Sequence, residues 1–201
     1  NSDAEFSIFM VLKSDNTSKQ APLQRATATG GNYMFFGYGV HGNYWTYIIG
    51  SSGTDHKLSS TPADKRITEH VILEIYLKQD GSSYKTDFVV NGEYLLVDGG
   101  AAAMPFDGTG RDWLIGSDWD GNTLTDFFEG DMAEILFFNG NVSDSDASMI
   151  RYYLSSKWGL TDKVDSDMDG VLDSMELDYF SSPVDATSTP RMDLSDIVDA
   201  L

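Results

Sequence analysis

Through the first 140 positions, apolar and polar residues alternate with a period near two, in short runs cut by Gly, Asn and Asp. Runs of this kind are strands, because successive side chains on a strand point to opposite faces. Segments 5–13, 33–38, 44–49, 70–78, 84–90, 93–97, 113–116 and 132–138 fit the pattern and are predicted strands. Gln79-Asp80-Gly81-Ser82-Ser83 predicts a turn. Asn91-Gly92 predicts a tight hairpin, since both residues accept the positive φ that a two-residue connection demands. Many short strands, glycine-rich turns and almost no helical period predict an all-β fold of two packed antiparallel sheets. One helix follows. Ser143 is a good N-cap with Asp146 three residues on, Ala147, Ile150, Leu154 and Trp158 form an apolar stripe, and Gly159 ends it.

Charge divides the chain near residue 160. The net charge is −19, and residues 161–201 hold 11 acids against two bases, whereas residues 1–160 hold 21 against 11. The acidic tail is therefore expected to be a separate piece, with the sandwich over 1–160 and a connector over 161–201. An apolar share of 41% and an aromatic share of 12% supply a core and exclude general disorder. The chain has no cysteine, which excludes disulfides, thiolate metal sites and a cysteine nucleophile. His41, His56 and His70 lack ligand spacing, so a metal would be held by oxygen. The negative charge repels phosphate backbones and anionic lipid, arguing against nucleic acid and membrane surfaces as partners. No apolar run approaches the roughly 18 residues of a spanning helix, and Asn1 to Glu5 do not read as a signal peptide. The chain reads as a mature or trimmed piece of something longer.

Leu114-Ile115-Gly116, Phe127 through Phe138 (FFEGDMAEILFF), Val142-Ser143-Asp144 and Ile150 through Leu160 (IRYYLSSKWGL) resemble the C-terminal half of laminin-G-like, concanavalin A-like domains of secreted bacterial proteins. Asn91-Gly92-Glu93 resembles the central hairpin of the same family. The resemblance covers roughly residues 5 to 160 and implies a jelly-roll β-sandwich. Its motifs identify a fold more sharply than a function. Such domains begin with one more strand ahead of segment 5–13, so either the sheet has an unpaired edge or the chain is trimmed.

The connector carries the sharpest chemistry. Asp165, Asp167, Asp169, Asp173 and Glu176 occupy positions 1, 3, 5, 9 and 12 of a twelve-residue calcium loop, with Gly170 at 6 and Leu172 at 8. Ca²⁺ takes six to eight hard oxygens, so Asp at every second position supplies side chains to one side, while Gly170 permits the bend. Val171 would add its carbonyl, Asp173 would ligate directly or through water, and Glu176 would close the sphere with two oxygens. Without a cation, carboxylates about 5 Å apart repel by roughly 3 kcal/mol per pair at an effective dielectric near 20. The competing reading is a solvated acidic linker. The run to Pro183 resembles the type-3 thrombospondin-like or dockerin-like calcium repeats that connect extracellular modules. Residues 159–164 read as loop, so no helix is expected to lead directly into the site, which suits a structural clip better than a switch. A short exiting helix is expected from Glu176, then a Ser/Thr/Pro linker over 181–190, then apolar Leu194, Ile197, Val198 and Leu201 at helical spacing.

A second, weaker cation candidate is Asp118, Asp120 and Asn122, set against the plain alternative of a tight Asx turn. Relatives of this fold include glycosidases and polysaccharide lyases, so catalysis needs a test. Retaining glycosidases place two carboxylates about 5 Å apart. Asp131/Glu134 and Glu69/Glu74 are the nearest approaches, and their odd spacing puts each pair on opposite strand faces. Sugar binding needs less: exposed aromatics ringed by polar groups. Trp119, flanked by two Asp, is the best candidate, with Tyr38, His41 and Tyr44 at a strand junction; core packing is the competing reading for each. The expected protein is a non-catalytic, calcium-stabilised carbohydrate-binding or adhesion module of a larger secreted or surface protein. The alternatives are a structural or protein-binding module and a polysaccharide hydrolase or lyase.

Overall fold

The computed structural model describes residues 5–14, 18, 20–27, 33–39, 42–50, 55–57, 68–81, 83–101, 110–120 and 123–190. The strands are β1 (Phe6–Ser14), β2 (Gln20–Thr27), β3 (Tyr33–Gly39), β4 (Gly42–Gly50), β5 (Asp55–Lys57), β6 (Val71–Asp80), β7 (Ser83–Val90), β8 (Glu93–Ala101), β9 (Gly110–Ile115), β10 (Asp118–Asp120), β11 (Thr123–Thr125) and β12 (Gly130–Asn139); the helices are α1 (Asp144–Trp158) and α2 (Asp173–Asp178). Chain compactness gives two units, 1–90 with 94–141, and 91–93 with 142–201. The division thus falls before the helix rather than after it: α1 belongs with the acidic loop, not with the strands. None of the described helices is long and apolar enough to cross a membrane.

The first unit is an all-β antiparallel sandwich. One five-stranded sheet runs β12-β1-β6-β7-β8, the other β5-β4-β3-β2-β9, and β10-β11 forms a separate hairpin. Alternation builds the core. Phe6, Ile8, Met10 and Leu12 of β1 stand opposite Leu77, Ile75, Leu73 and Val71 of β6, and all join one cluster with Leu23, Phe36 and Tyr38 of the other sheet. Phe6 meets Trp113 of β9 edge-on at 5.5 Å between ring centroids, closing the space between the sheets. The opposite face of β1 and β6 is buried as well. Phe9, Val11, Ile72, Glu74 and Tyr76 are all covered, which is why these strands read as nearly continuous apolar runs. Tyr76 Oη donates to Glu74 Oε2 at 2.6 Å, giving that buried carboxylate a partner.

Two strand details depart from simple alternation. In β12, Val11 pairs with Glu134 and Leu12 with Met132, so Ala133 is an extra residue, a bulge. Lys13 and Val11 lie on one face of β1, and their partners Asp131 and Glu134 therefore share a face too. The odd-spacing argument against that pair fails for this reason, although Asp131 is exposed and Glu134 half-buried on the side away from the core. In β2, Pro22 sits in an inner strand, which a proline tolerates only where no ladder N–H is needed. The register shifts between Gln20 and Leu23 at that point, and the Pro22 carbonyl accepts from Gly116 N–H at 2.9 Å.

In the second unit α1 begins and ends as its sequence dictates. Ser143 Oγ accepts from Asp146 N–H at 3.1 Å, and Gly159 adopts φ 67° just past the last turn. Its buried face is Ala147, Ser148, Arg151, Leu154 and Ser155; Ile150 is half-buried and Trp158 39% exposed. The helix is thus rotated from the expected stripe, because Arg151 and the serines are buried with hydrogen-bond partners. Segment 181–190 is built from turns, with Ser182 N–H donating to Ser188 Oγ at 3.1 Å and Ser188 N–H to the Asp185 carbonyl at 2.7 Å.

Candidate functional site

The acidic loop is a wound structure. Asp165 Oδ1 accepts from Met168 N–H at 2.7 Å and its Oδ2 from Gly170 N–H at 2.8 Å. Asp167 Oδ1 accepts from Asp169 N–H at 3.3 Å, and Asp169 Oδ1 from Val171 N–H at 2.8 Å. Gly170 at φ 96° and Met168 at φ 62° make the bend. Carboxylate oxygens of Asp165, Asp167 and Asp169 come within 4.8 Å of one another. Glu176, wholly buried on α2, turns one oxygen to Ser181 Oγ at 3.1 Å.

The remaining oxygens test what this loop fits. Asp167 Oδ2, Asp169 Oδ2 and Glu176 Oε2 are all buried and have no hydrogen-bond donor. Burial, helped by repulsion from Asp169 and Asp165, pushes Asp167 up to about 6. Burial again, with Asp167, Asp169 and Asp173 nearby, pushes Glu176 to about 7 against the opposing bond from Ser181. Buried acceptors without donors, among carboxylates whose charges burial opposes, fit the donor set of a hard divalent cation. Val171 occupies the seventh position with its N–H held by Asp169. No helix leads directly into the loop, since six residues separate the end of α1 from Asp165, and α2 starts at Asp173, three residues ahead of the expected start.

Asp173 behaves differently from the other four acids. It is fully buried, and its carboxylate accepts from Ser166 N–H at 2.8 Å, from Ser166 Oγ at 2.9 Å and from Ser155 Oγ on α1. Burial pushes its proton affinity up, and the three bonds push it down. Arg151, also buried, donates from Nη1 to the Ser166 carbonyl. Arg151, Ser155, Ser166 and Ser181 were not singled out in the sequence. The signal available was weak: one serine, Ser155, a turn before the stripe residue Trp158, and a small polar residue, Ser166, at position two of the loop.

The other candidates divide. Tyr38 is corrected: it is wholly buried in the sandwich core beside Phe36, because positions 36 and 38 of β3 both point inward, so its ring is not offered to a sugar. Trp119 lies on β10, half-buried, with its backbone N–H donating to Gln24 Oε1 at 3.2 Å. Asp118 is buried on the same strand, opposite Thr125 of β11. Of Asp120 and Tyr44 the backbone alone is described, both in strands, and His41 and Asn122 fall outside the described residues, as do the apolar positions of 191–201. The Asp118–Asp120 stretch pairs antiparallel with Thr123–Thr125 of β11, and the connection at 121–122, where the Asx turn is expected, lies outside the described residues.

No family model matches the sequence, and no curated protein does. Solved structures share the fold. The chain superposes on the CBM40 of the Ruminococcus gnavus IT-sialidase, solved bound to α2,3-sialyllactose, with TM-score 0.58 and 12% identity over 71% of this chain and 80% of that one. It also matches the NanB sialidase from Streptococcus pneumoniae, with TM-score 0.57 and 18% identity over 73% of this chain and 24% of that one. A leech intramolecular trans-sialidase gives TM-score 0.52 and 17% identity over 71% and 22%. The chain spans about a quarter of the length of those two sialidases. The class these likenesses define is the antiparallel jelly-roll sandwich.

Proposed function

We propose that this chain is a non-catalytic carbohydrate-binding module stabilised by Ca²⁺ and belonging to a larger secreted or surface protein. The carbohydrate half of the reading is supported by a likeness, over 71% of this chain and 80% of the other, to a module solved with a sialylated sugar. The calcium half is supported by one observation above all: three buried carboxylate oxygens, on Asp167, Asp169 and Glu176, lack any donor. Asp165, Asp167, Asp169 and Glu176 would hold the ion, with the Val171 carbonyl as a further oxygen. An ion plentiful outside cells would be bound there constitutively, which agrees with a structural clip in an extracellular setting.

Two experiments test the halves separately. Calcium titration should raise the melting temperature of the chain, and Glu176→Gln or Asp167→Asn should abolish the rise; a melt that chelator leaves unchanged overturns the calcium reading. A glycan panel with neutral and sialylated oligosaccharides should return binding, and Trp119→Ala should weaken it; silence across the panel overturns the carbohydrate reading. A second reading, protein binding, is favoured by Met175, Leu177, Tyr179 and Phe180, four exposed large apolar residues close together in sequence beside the loop. Reducing-sugar release from polysaccharides, lost in Glu134→Gln, would instead establish an enzyme.

A further inference from the structure

Position nine of the loop is occupied by a carboxylate that turns away from the cage. Asp173 is absent both from the three acids whose oxygens converge and from the acids that present an oxygen without a donor. Its own oxygens are committed: Oδ1 to Ser166 N–H at 2.8 Å, Oδ2 to Ser166 Oγ at 2.9 Å and to Ser155 Oγ. A carboxylate with three donors has little capacity left for a metal, and swinging it toward one would strand three buried donors. The backbone fastens the same spot. Asp173 N–H donates to the Val164 carbonyl and Ser174 N–H to the Thr161 carbonyl, each at 2.9 Å. Arg151 of α1 holds the Ser166 carbonyl. Helix α1, the second loop residue and the first residue of α2 therefore meet at one buried polar node. Glu176 lies one helical turn beyond it.

Building on the calcium reading above, we propose that Asp173 is a positioning residue for the cation and not a ligand. Held by Ser155 and Ser166, it sets α2 at the height where Glu176 comes near Asp167 and Asp169. The cage is shaped before the ion arrives, so binding is relieved of much of the ordering cost. The coordination sphere then consists of four carboxylates completed by backbone oxygen and water, and Ser155, on α1 and 18 residues before the Asp173 it binds, controls affinity without touching the ion.

The test uses the full chain. Calcium affinity is measured by titration calorimetry, and the water bound to Eu³⁺ in the same site is counted from luminescence lifetimes in H₂O and D₂O. Asp173→Asn and Ser155→Ala should each weaken Ca²⁺ by about ten- to a hundredfold, the range seen when a residue supporting a ligand is lost. Neither should change the Eu³⁺ water count, and the double variant should be no weaker than Asp173→Asn alone. In chelator, the Ser166 amide should be protected from hydrogen exchange in the wild type and exposed in Asp173→Asn. Should Asp173→Asn fail to fold, Ser166→Ala and Ser155→Ala carry the same comparison. One extra water on Eu³⁺ in Asp173→Asn makes Asp173 a ligand and overturns the proposal. So does an unchanged affinity in Ser155→Ala, or an unprotected Ser166 amide. A wild type that binds no calcium sinks the calcium reading and the proposal together, whereas binding with a silent Ser155→Ala sinks the proposal alone.

Discussion

Glu176 is a carboxylate placed where a charge is unwelcome, and its titration therefore reports on the site. Burial leads in raising it from its ordinary 4.5 to about 7, with Asp167, Asp169 and Asp173 adding repulsion. Asp167 moves from 3.8 to about 6 for the same first cause. A folded-state value above the unfolded one means that the ion-free fold holds protons more tightly than the open chain. The stabilising contribution of these two acids is complete below 3.8 and is lost as pH rises through about 6 for Asp167 and about 7 for Glu176. Chelated protein should therefore gain stability at the second unit as pH falls from 7.5 to 5, read by denaturation followed at Trp158. Calcium reverses the sign, because the ion needs both groups ionised. Its affinity should fall as pH drops through the same range, with proton release on binding near pH 6.5. A calcium affinity that is flat between pH 7.5 and 5.5 would contradict the buried Glu176.

At the scale of elements, short-range signals decided most of what could be read. The Asn91–Gly92 turn takes φ 54° and 81°, the pair of positive angles its sequence promised, and it belongs with the second unit. A methyl group on Gly92 would sit 1.8 Å from the Asp165 carbonyl oxygen, so Gly92→Ala should cost at least about 2 kcal/mol in denaturant titrations and weaken calcium through the displaced Asp165. At the end of α2, Ser181 N–H reaches the Glu176 carbonyl at 2.9 Å and Phe180 stands at φ 58°, the left-handed position that closes many helices and favours glycine. Phe180 is 98% exposed, so no packing offsets that angle. Phe180→Gly should stabilise the chain by about 1 kcal/mol, and a loss of stability would mean that its ring has a contact in solution. Strand β2 was illegible because Pro22 breaks its alternation, and the bulge that absorbs it cannot be seen in sequence. The extra residue at Ala133 defeated the parity argument for Asp131 and Glu134 in the same way. The convergence of Asp165, Asp167 and Asp169 was legible because acids at intervals of two around a glycine bend turn to one side, and their oxygens come within 4.8 Å of one another. The turned-away Asp173 was not, since its partners Ser155 and Ser166 are separated from it by 18 and seven residues.

For the molecule as a whole, the governing quantity is a net charge of −19 on 201 residues. Self-repulsion of that size opposes compaction, and salt screens it over a Debye length of about 10 Å at 0.1 M. Chelated protein should therefore melt at a higher temperature as NaCl is added, and the gain should shrink once calcium has neutralised part of the loop. The same field acts on ligands. A sialylated sugar carries a carboxylate and approaches against the repulsion, whereas a neutral oligosaccharide feels none of it. If the module binds neutral glycans, affinity should be nearly independent of ionic strength between 0.05 and 0.5 M. If it binds sialylated ones, association should quicken with salt, the reverse of the behaviour expected of a basic lectin surface. Binding of sialyllactose that weakens as salt rises would require a local cationic pocket strong enough to invert the field of the whole chain. Arg25, whose guanidinium lies 5.8 Å from the ring centroid of Trp113 at the edge of the second sheet, is the residue to substitute first in that event.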